Sequence, residues 1–135
     1  MANNNSFFTT WAPRVLSLLR IIAGFLLIAH GAQKVLGFPP SPQPPGGPLP
    51  FYISLAGWLE LVGGALLIVG LFTRPTAFIL SGLMAVAYFM AHAPQGFWPI
   101  LNRGELAALY SFVFLYLAVA GGGEWSLDRI LRRVS

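Results

Sequence analysis

The chain has 135 residues, enough for one domain, of which 56% are hydrophobic and only 9% are charged. A soluble domain draws about a quarter of its residues from Asp, Glu, Lys and Arg, so this chain has too few charges to cover a water-exposed surface. Its basic residues are spread along the chain without a cluster before the C-terminal end, which argues against nucleic-acid binding. We therefore predict an integral membrane protein in contact with a lipid bilayer. Because cysteine is absent, any redox role needs a bound cofactor or a redox partner protein.

A membrane-spanning helix needs about 20 mostly apolar residues, and four stretches supply one: 14–37, 52–73, 75–94 and 102–121. Residues 38–50 are rich in proline, which predicts a stiff external loop that either lies over the bundle or is only a spacer. The turn FTRP joins the second and third spans in a tight antiparallel hairpin. Residues 122–135 are typical of an interfacial segment, with Trp125 at the headgroups and Ser126 as a helix N-cap.

These elements predict a single all-α membrane domain over residues 1–135, a four-helix bundle. An even number of spans puts both termini on one side of the membrane. Most arginines lie on that side or in the turn between spans two and three, whereas Lys34 and Arg103 lie opposite. Positive residues favour the cytoplasm, so we expect both termini to be cytoplasmic in a multi-pass protein of the bacterial plasma membrane.

Every span has polar residues on one face when it is projected at 100° per residue. The four faces are Arg20, Gly24, Leu27, His30, Gly31 and Lys34; Glu60 with Gly57, Gly63, Gly64 and Leu67; Ser81, Ala85, Tyr88 and His92; and Asn102, Glu105, Leu109, Phe112 and Tyr116. Apart from Arg20, the functional side chains fall in the outer half of the bundle. This arrangement predicts a polar cluster or pocket that opens to the outside.

The cluster has two interpretations. It could only hold helices together, with Lys34 on Glu105, His30 on Glu60 and Asn102 capping the fourth span. It could instead bind a ligand or move protons, since interhelical polar contacts add only about a kcal/mol or less. Arg20 lies apart in the inner half, where Glu124 or Asp128 is expected to form a structural salt bridge with it.

Metal and haem chemistry find weaker support. His30, Glu60, His92 and Glu105 are suitable ligand types, but no HExxH or ExxH spacing is present, so we assign no metal site. A haem held by His30 and His92 is not expected, because the two histidines differ in depth along their spans.

Five segments together resemble the DoxX family of small prokaryotic membrane proteins. They are Arg20 with HGAQK from His30, LELVGGALLIVGLFTR with Glu60, His92, NRGELAALY from Asn102, and GGGEWSLD before Arg129. The resemblance implies a four-span bundle. The family's namesake is a membrane subunit of a thiosulfate:quinone oxidoreductase, which implies a connection to quinones or redox chemistry. This chain differs in its proline-rich first loop.

The function we predict is a component of a membrane oxidoreductase system that binds quinone or a similar small molecule, whether or not the chain is itself an enzyme. His30 and Glu60 would exchange protons with the ligand, and Lys34 would stabilise negative charge on its oxygens. The other expected ligand-binding residues are Tyr88, His92, Asn102 and Glu105, with Leu27, Leu67 and Phe112 as apolar walls. Two alternatives stay open, a non-catalytic scaffold and a permease for small solutes or protons. Homo-oligomerisation is open as well.

Overall fold

The protein is an all-helical bundle, seen in a computed structural model that describes residues 5–134. Its α-helices are α1 (Asn5–Leu36), α2 (Phe51–Val69), α3 (Thr73–Ala87), α4 (Pro99–Asn102), α5 (Glu105–Ala120) and α6 (Leu127–Val134). A π-helical turn (Tyr88–His92) and a 3-10 turn (Ala93–Gln95) extend α3 without a break. The all-α membrane fold predicted from composition and periodicity is confirmed.

Three of the four apolar helices in residues 5–134 are long enough to cross a bilayer, and the fourth is shorter. Among the described residues, α1, α2 and the stretch from α3 to Gln95 are long and apolar enough to cross a membrane. The fourth apolar helix, α5, has 16 residues and is about 24 Å long, somewhat short of the roughly 30 Å hydrocarbon core. The α1 helix has 32 residues, about 48 Å, and so extends beyond that core.

Glycines bring α1 and α2 into close contact. A Cβ atom built on Gly24 would lie 2.9 Å from the Gly64 carbonyl oxygen, and one on Gly31 would lie 2.6 Å from the Gly57 carbonyl oxygen. Only glycine leaves room for this approach of two helix backbones, as the shared glycine faces of the first two spans predicted. The long α1–α2 contact aligns the polar residues of the two helices.

The apolar core joins this pair to α3 and α5, which pack mainly against each other. Leu27 of α1, Leu67 of α2, Leu80 of α3 and Phe114 of α5 are almost completely buried in it. Leu67 therefore lies in the centre of the core.

One end of the bundle, which we call the arginine end, comprises the α2–α3 turn and residues 121–134. Gly70 ends α2 in the left-handed conformation (φ 72°). The Asp128 carboxylate then accepts hydrogen bonds from the backbone N–H groups of Phe72 (2.8 Å) and Thr73 (2.9 Å) at the start of α3. Ser126 Oγ accepts the N–H of Arg129, which confirms the predicted N-cap of α6. This end is thus tied together by backbone hydrogen bonds.

The predicted inward face of the fourth span is wrong. Phe112 is 71% exposed and Leu109 is 62% exposed, whereas Tyr110, Phe114 and Leu117 are buried. The cause is a break in the helix at Arg103, whose backbone is left-handed (φ 62°). The break separates Asn102, in α4, from α5 and resets the helical phase, so a projection that starts at Asn102 points the wrong residues inward.

Candidate functional site

A cavity of about 190 Å³ lies between the helices at the end opposite the arginine end. We call it the polar cavity. It is lined by Leu27, His30, Lys34, Glu60, Met84, Ala87, His92, Arg103, Leu106, Ala107 and Tyr110. The predicted residues His30, Lys34, Glu60 and His92 therefore meet around one space. No residue of the loop 38–50 lines this cavity, so the loop does not form part of its wall.

An ion pair forms one wall of the polar cavity. The Lys34 ammonium donates to both carboxylate oxygens of Glu60, at 2.7 and 2.8 Å. The Glu60 side chain is 4% exposed and that of Lys34 is 34% exposed. The pairings expected from sequence, Lys34 with Glu105 and His30 with Glu60, are thus corrected. The glycine contacts explain why Lys34 meets Glu60. Gly31 and Gly57 bring α1 and α2 together, and Lys34 and Glu60 each follow one of these glycines by about one helical turn.

His30 and Tyr110 form a second wall. Their rings meet edge to face, with centroids 6.4 Å apart. His30 is exposed, whereas Tyr110 is buried, with 5% of its surface exposed. The Tyr110 hydroxyl is buried and has no hydrogen-bond partner among residues 5–134. A buried hydroxyl normally finds a partner, so this one is an exception in the wall of the cavity.

The π-helical turn brings His92 to the cavity. Met84 and Ala87 line the cavity from α3, and in an uninterrupted α-helix the next residue on their face would be Ala91. The wider turn at Tyr88–His92 places His92 there instead. The His92 ring nitrogen Nδ1 lies 3.0 Å from the Asn102 carbonyl oxygen, which fixes the orientation of the ring.

Asn102 and Tyr88 contact His92 but do not themselves line the polar cavity. The Asn102 amide donates to the Tyr88 hydroxyl (3.2 Å) and to the Gly96 carbonyl (2.9 Å). Its oxygen accepts the N–H of Gly104 at 2.8 Å, just before α5 begins. Asn102 is completely buried, and its hydrogen bonds hold the α4–α5 connection in place. These residues position His92 from behind the cavity wall.

Glu105 lies outside the polar cavity, on the exposed side of the first turn of α5. This corrects the expectation that it faces the ligand, and the reason is again the break before α5. Arg103 and Tyr110 line the cavity instead, and neither was selected from the sequence. The signal for them was present in NRG, since glycine after Arg103 marks a helix end, and restarting the phase at Glu105 puts Leu106 and Tyr110 on one face.

Arg20 is remote from the cavity and makes no salt bridge among the described residues. Its guanidinium donates to the carbonyls of Leu67 (2.7 Å), Trp125 (2.7 Å), Ile68 and Gly122. The predicted ion pair with Glu124 or Asp128 is therefore wrong. Asp128 caps α3, and Glu124 pairs with Arg129. Arg20 has a structural role all the same, because it ties the end of α2 to the chain after α5.

Metal and haem binding find no support in the geometry. No three His, Asp or Glu side chains within residues 5–134 are close enough together to hold a metal ion. His30 and His92 do line the same cavity, but its 190 Å³ are too small for a haem between them.

The sequence matches known membrane proteins along most of its length. The DoxX family model matches residues 15–93, more than half of the chain. A Haemophilus influenzae protein described as uncharacterized is 48% identical over 122 residues, 87% of this chain and 91% of the relative. The chain belongs to the DoxX family. The Escherichia coli inner membrane protein YqjF is 31% identical over 84% of this chain and 89% of its own, and the uncharacterized membrane protein Rv3486 of Mycobacterium tuberculosis is 30% identical over 98% and 95%.

As a DoxX-family protein with relatives named for the inner membrane, the chain is a multi-pass bacterial inner membrane protein. No solved structure gives a significant match. The part matched by the DoxX model contains His30, Lys34, Glu60 and His92. Arg103 and Tyr110, which close the polar cavity from the other side, lie beyond it.

Proposed function

We propose that this DoxX-family protein is a component of a membrane redox system and binds a quinone, or a similar small amphipathic molecule, in the polar cavity. The observation that supports the proposal most is that one small cavity is lined both by the Lys34–Glu60 ion pair and by Tyr110, whose hydroxyl has no partner among the described residues. Leu27 and Met84 add apolar surface to the same walls. Ligand sites typically combine apolar walls with a few convergent polar groups.

The size of the cavity limits what it holds. Pockets for drug-sized ligands measure about 300–1,000 Å³, and the polar cavity measures about 190 Å³. It therefore suits the ring of a quinone and not the whole molecule. A hydrophobic tail would leave past the exposed side of His30, toward the lipid.

The lining residues suit the chemistry of a quinone ring. Glu60 and His30 are proton-exchanging groups next to the space that the ring oxygens would occupy. Lys34 and Arg103 carry positive charge that stabilises a developing negative charge on an oxygen. Electrons would come from a redox partner protein, because this chain has no cysteine to hold an iron–sulfur cluster or a redox thiol.

Binding of a short-chain naphthoquinone such as menadione to the purified protein tests the proposal. We expect saturable quenching of the intrinsic fluorescence, with affinity reduced roughly tenfold or more by Glu60→Gln or His30→Ala, since hydrogen bonds to charged groups contribute about 1.5–3 kcal/mol. Glu105→Gln is the matched control, because it makes the same change at the same end outside the cavity, and it should bind as the wild type does.

A scaffold function is the second candidate, and a specific observation favours it. Lys34, Glu60 and Asn102 already have protein partners, as groups that only hold helices together would. In that case menadione would not bind the wild type, and Glu60→Gln would lower the melting temperature without any effect on a ligand. Absence of quinone binding by the folded wild type would overturn the redox proposal.

A further inference from the structure

The net charge of the protein is concentrated at the arginine end. The chain has eight basic and four acidic residues, for a formal charge of +4. Lys34 and Arg103 at the cavity end are balanced by Glu60 and Glu105. The rest of the charged residues lie at or near the arginine end, and they account for the whole excess: Arg14, Arg20, Arg74, Arg129, Arg132, Arg133, Glu124 and Asp128.

A cleft of about 470 Å³ opens between α6 and the start of α3 at this end. We call it the Arg74 cleft. It is lined by Leu71, Phe72, Thr73, Arg74, Pro75, Gly121, Gly122, Asp128, Leu131 and Arg132. It is separate from the polar cavity, and the proposed redox function does not use it.

The cleft has two arginines, Arg74 and Arg132, and a single carboxylate, that of Asp128, so positive charge is in excess there. The Asp128 carboxylate accepts the backbone N–H groups of Phe72 and Thr73, and Arg132 Nε donates to the Asp128 carbonyl at 3.3 Å. Arg74 donates to the Val119 carbonyl and has no carboxylate partner among the described residues. Arginine carries five N–H donors in a planar fork, so a guanidinium held by one backbone carbonyl still presents donors to an anion.

The cleft also has apolar residues with exposed side chains. Phe72 is 62% exposed and Leu131 is 55% exposed, and both line the cleft together with Arg74 and Arg132. In α6 the exposed Ile130 and Leu131 lie between Arg129 and Arg132 in the sequence, and the helix follows the exposed Trp125, as is typical of helices that lie in the membrane interface. A soluble anion would make no use of this apolar surface.

We propose that the Arg74 cleft binds the headgroup of an anionic phospholipid. The phosphate would lie between Arg74 and Arg132, and the acyl chains would follow Phe72 and Leu131 into the bilayer. Arginine suits this role because its fork binds phosphate oxygens in pairs. The bound lipid would fix α6 against the α2–α3 turn and so hold the end of the bundle that Arg20 also ties together.

Native mass spectrometry of the whole protein tests this proposal, with equal amounts of phosphatidylglycerol and phosphatidylcholine added in detergent. We expect the protein to retain phosphatidylglycerol preferentially. Arg74→Gln/Arg132→Gln should lose this preference, with each arginine contributing about fivefold. Arg14→Gln is the matched control, because it removes the same charge at the same end outside the cleft, and it should keep the preference.

Folding of the variants is checked by helical circular dichroism. If the loss of the Arg74–Val119 hydrogen bond prevents folding, Arg132→Gln on the exposed side of α6 gives the same test alone. Equal retention of both lipids, or an equal loss in Arg14→Gln, would overturn the proposal. So would full displacement of phosphatidylglycerol by inorganic phosphate at equal concentration, since the site would then be one for a soluble anion.

Discussion

The two partners of the Lys34–Glu60 ion pair are not equally buried, and this asymmetry has a measurable consequence. Lys34→Met would leave the Glu60 carboxylate, 4% exposed, without its counter-charge. Removing one partner from a buried pair costs about 3–5 kcal/mol. Glu60→Gln should cost less, about 1–2 kcal/mol, because the Lys34 side chain is 34% exposed and can turn toward water.

Reversible unfolding of both variants in mixed micelles measures this difference, and Lys34→Met is expected to be the less stable. Arg103→Met is the control, because it removes a positive charge from the same cavity without leaving a carboxylate unpaired among the described residues. Equal losses in Lys34→Met and Arg103→Met would contradict the assignment of Glu60 as a buried carboxylate that depends on Lys34.

Asp128 links stability to pH at the arginine end. Burial raises the pKa of its carboxyl, but hydrogen bonds from Thr73 and Phe72 and the charge of Arg132 outweigh burial and lower that pKa below its ordinary 3.8. A lowered pKa in the folded state stabilises the protein fully above the ordinary value, and the stabilisation is lost as pH falls through the folded-state pKa.

We therefore expect the wild-type melting temperature to decline below about pH 4, and part of that decline to vanish in Asp128→Asn. The asparagine variant should be less stable than the wild type at neutral pH, because it accepts weaker hydrogen bonds at the start of α3. Thermal melts from neutral to acidic pH measure both effects. If the melting temperatures of the two proteins fell in parallel with pH, Asp128 would not be the cause of the decline in stability.

For α1, α2 and the extension of α3, the polar residues that line the cavity could be read from the sequence, but their partners could not. His30, Lys34, Glu60 and His92 do line one cavity. A helical projection gives a direction for each side chain and leaves the rotation of the neighbouring helix undetermined. Lys34 therefore meets Glu60 where Glu105 was expected. The partners of Arg20 could not be predicted either, because they are backbone carbonyls, which every residue has whatever its side chain.

At the scale of helices, the glycine contacts of α1 predict how the bundle responds to small substitutions. A methyl group on Gly31 would lie 2.6 Å from both the Gly57 carbonyl oxygen and the Leu61 nitrogen, and neither backbone atom can turn away. Gly31→Ala should therefore cost about 1–3 kcal/mol. Gly82→Ala in α3 is the matched control, because nothing lies within 4 Å of the added methyl group.

Thermal unfolding of the two alanine variants tests the prediction. Gly82→Ala should be as stable as the wild type or slightly more stable, since alanine favours a helix over glycine by about 0.5–1 kcal/mol. The Cβ atom of Glu60 lies only 3.0 Å from the position of a Gly31 methyl group, so Gly31→Ala should also weaken menadione binding. A Gly31→Ala protein as stable as Gly82→Ala would contradict the close packing of α1 on α2.

The fourth helix shows where periodicity stops being informative. The stretch 102–121 is mostly apolar after Glu105, so it predicts a span but gives little phase, and its first polar residue, Asn102, belongs to a different helix. The left-handed backbone at Arg103 separates the two. Hydropathy likewise could not place the start of α1 at Asn5, because the first turns of that helix lie outside the apolar stretch predicted as the first span.

At the scale of the whole molecule, the two ends of the bundle are held differently. The arginine end is joined by bonds from Arg20, Ser17 and Asp128 to backbone groups of distant segments. At the cavity end, the pair α1–α2 contacts the pair α3–α5 through side chains that line the polar cavity, such as His30 and Tyr110. We therefore expect the cavity end, and not the arginine end, to adjust to a bound molecule.

The difference in charge between the two ends predicts the orientation of the protein in the membrane. The arginine end carries the net positive charge, and positive residues favour the cytoplasm, so the termini should be cytoplasmic and the loop 38–50 should face the periplasm. Because the chain has no cysteine, single cysteine variants can be labelled without background. Ser41→Cys places a thiol on a half-buried residue in the loop, and Ser6→Cys places one on an exposed residue near the N-terminus.

With a membrane-impermeant maleimide, Ser41→Cys should be labelled in cells whose outer membrane alone has been made permeable. Ser6→Cys should be labelled only after the inner membrane is disrupted as well. The reverse pattern would show that the arginine end faces the periplasm. The polar cavity would then open toward the cytoplasm, because the exposed sides of His30 and Arg103 would face it.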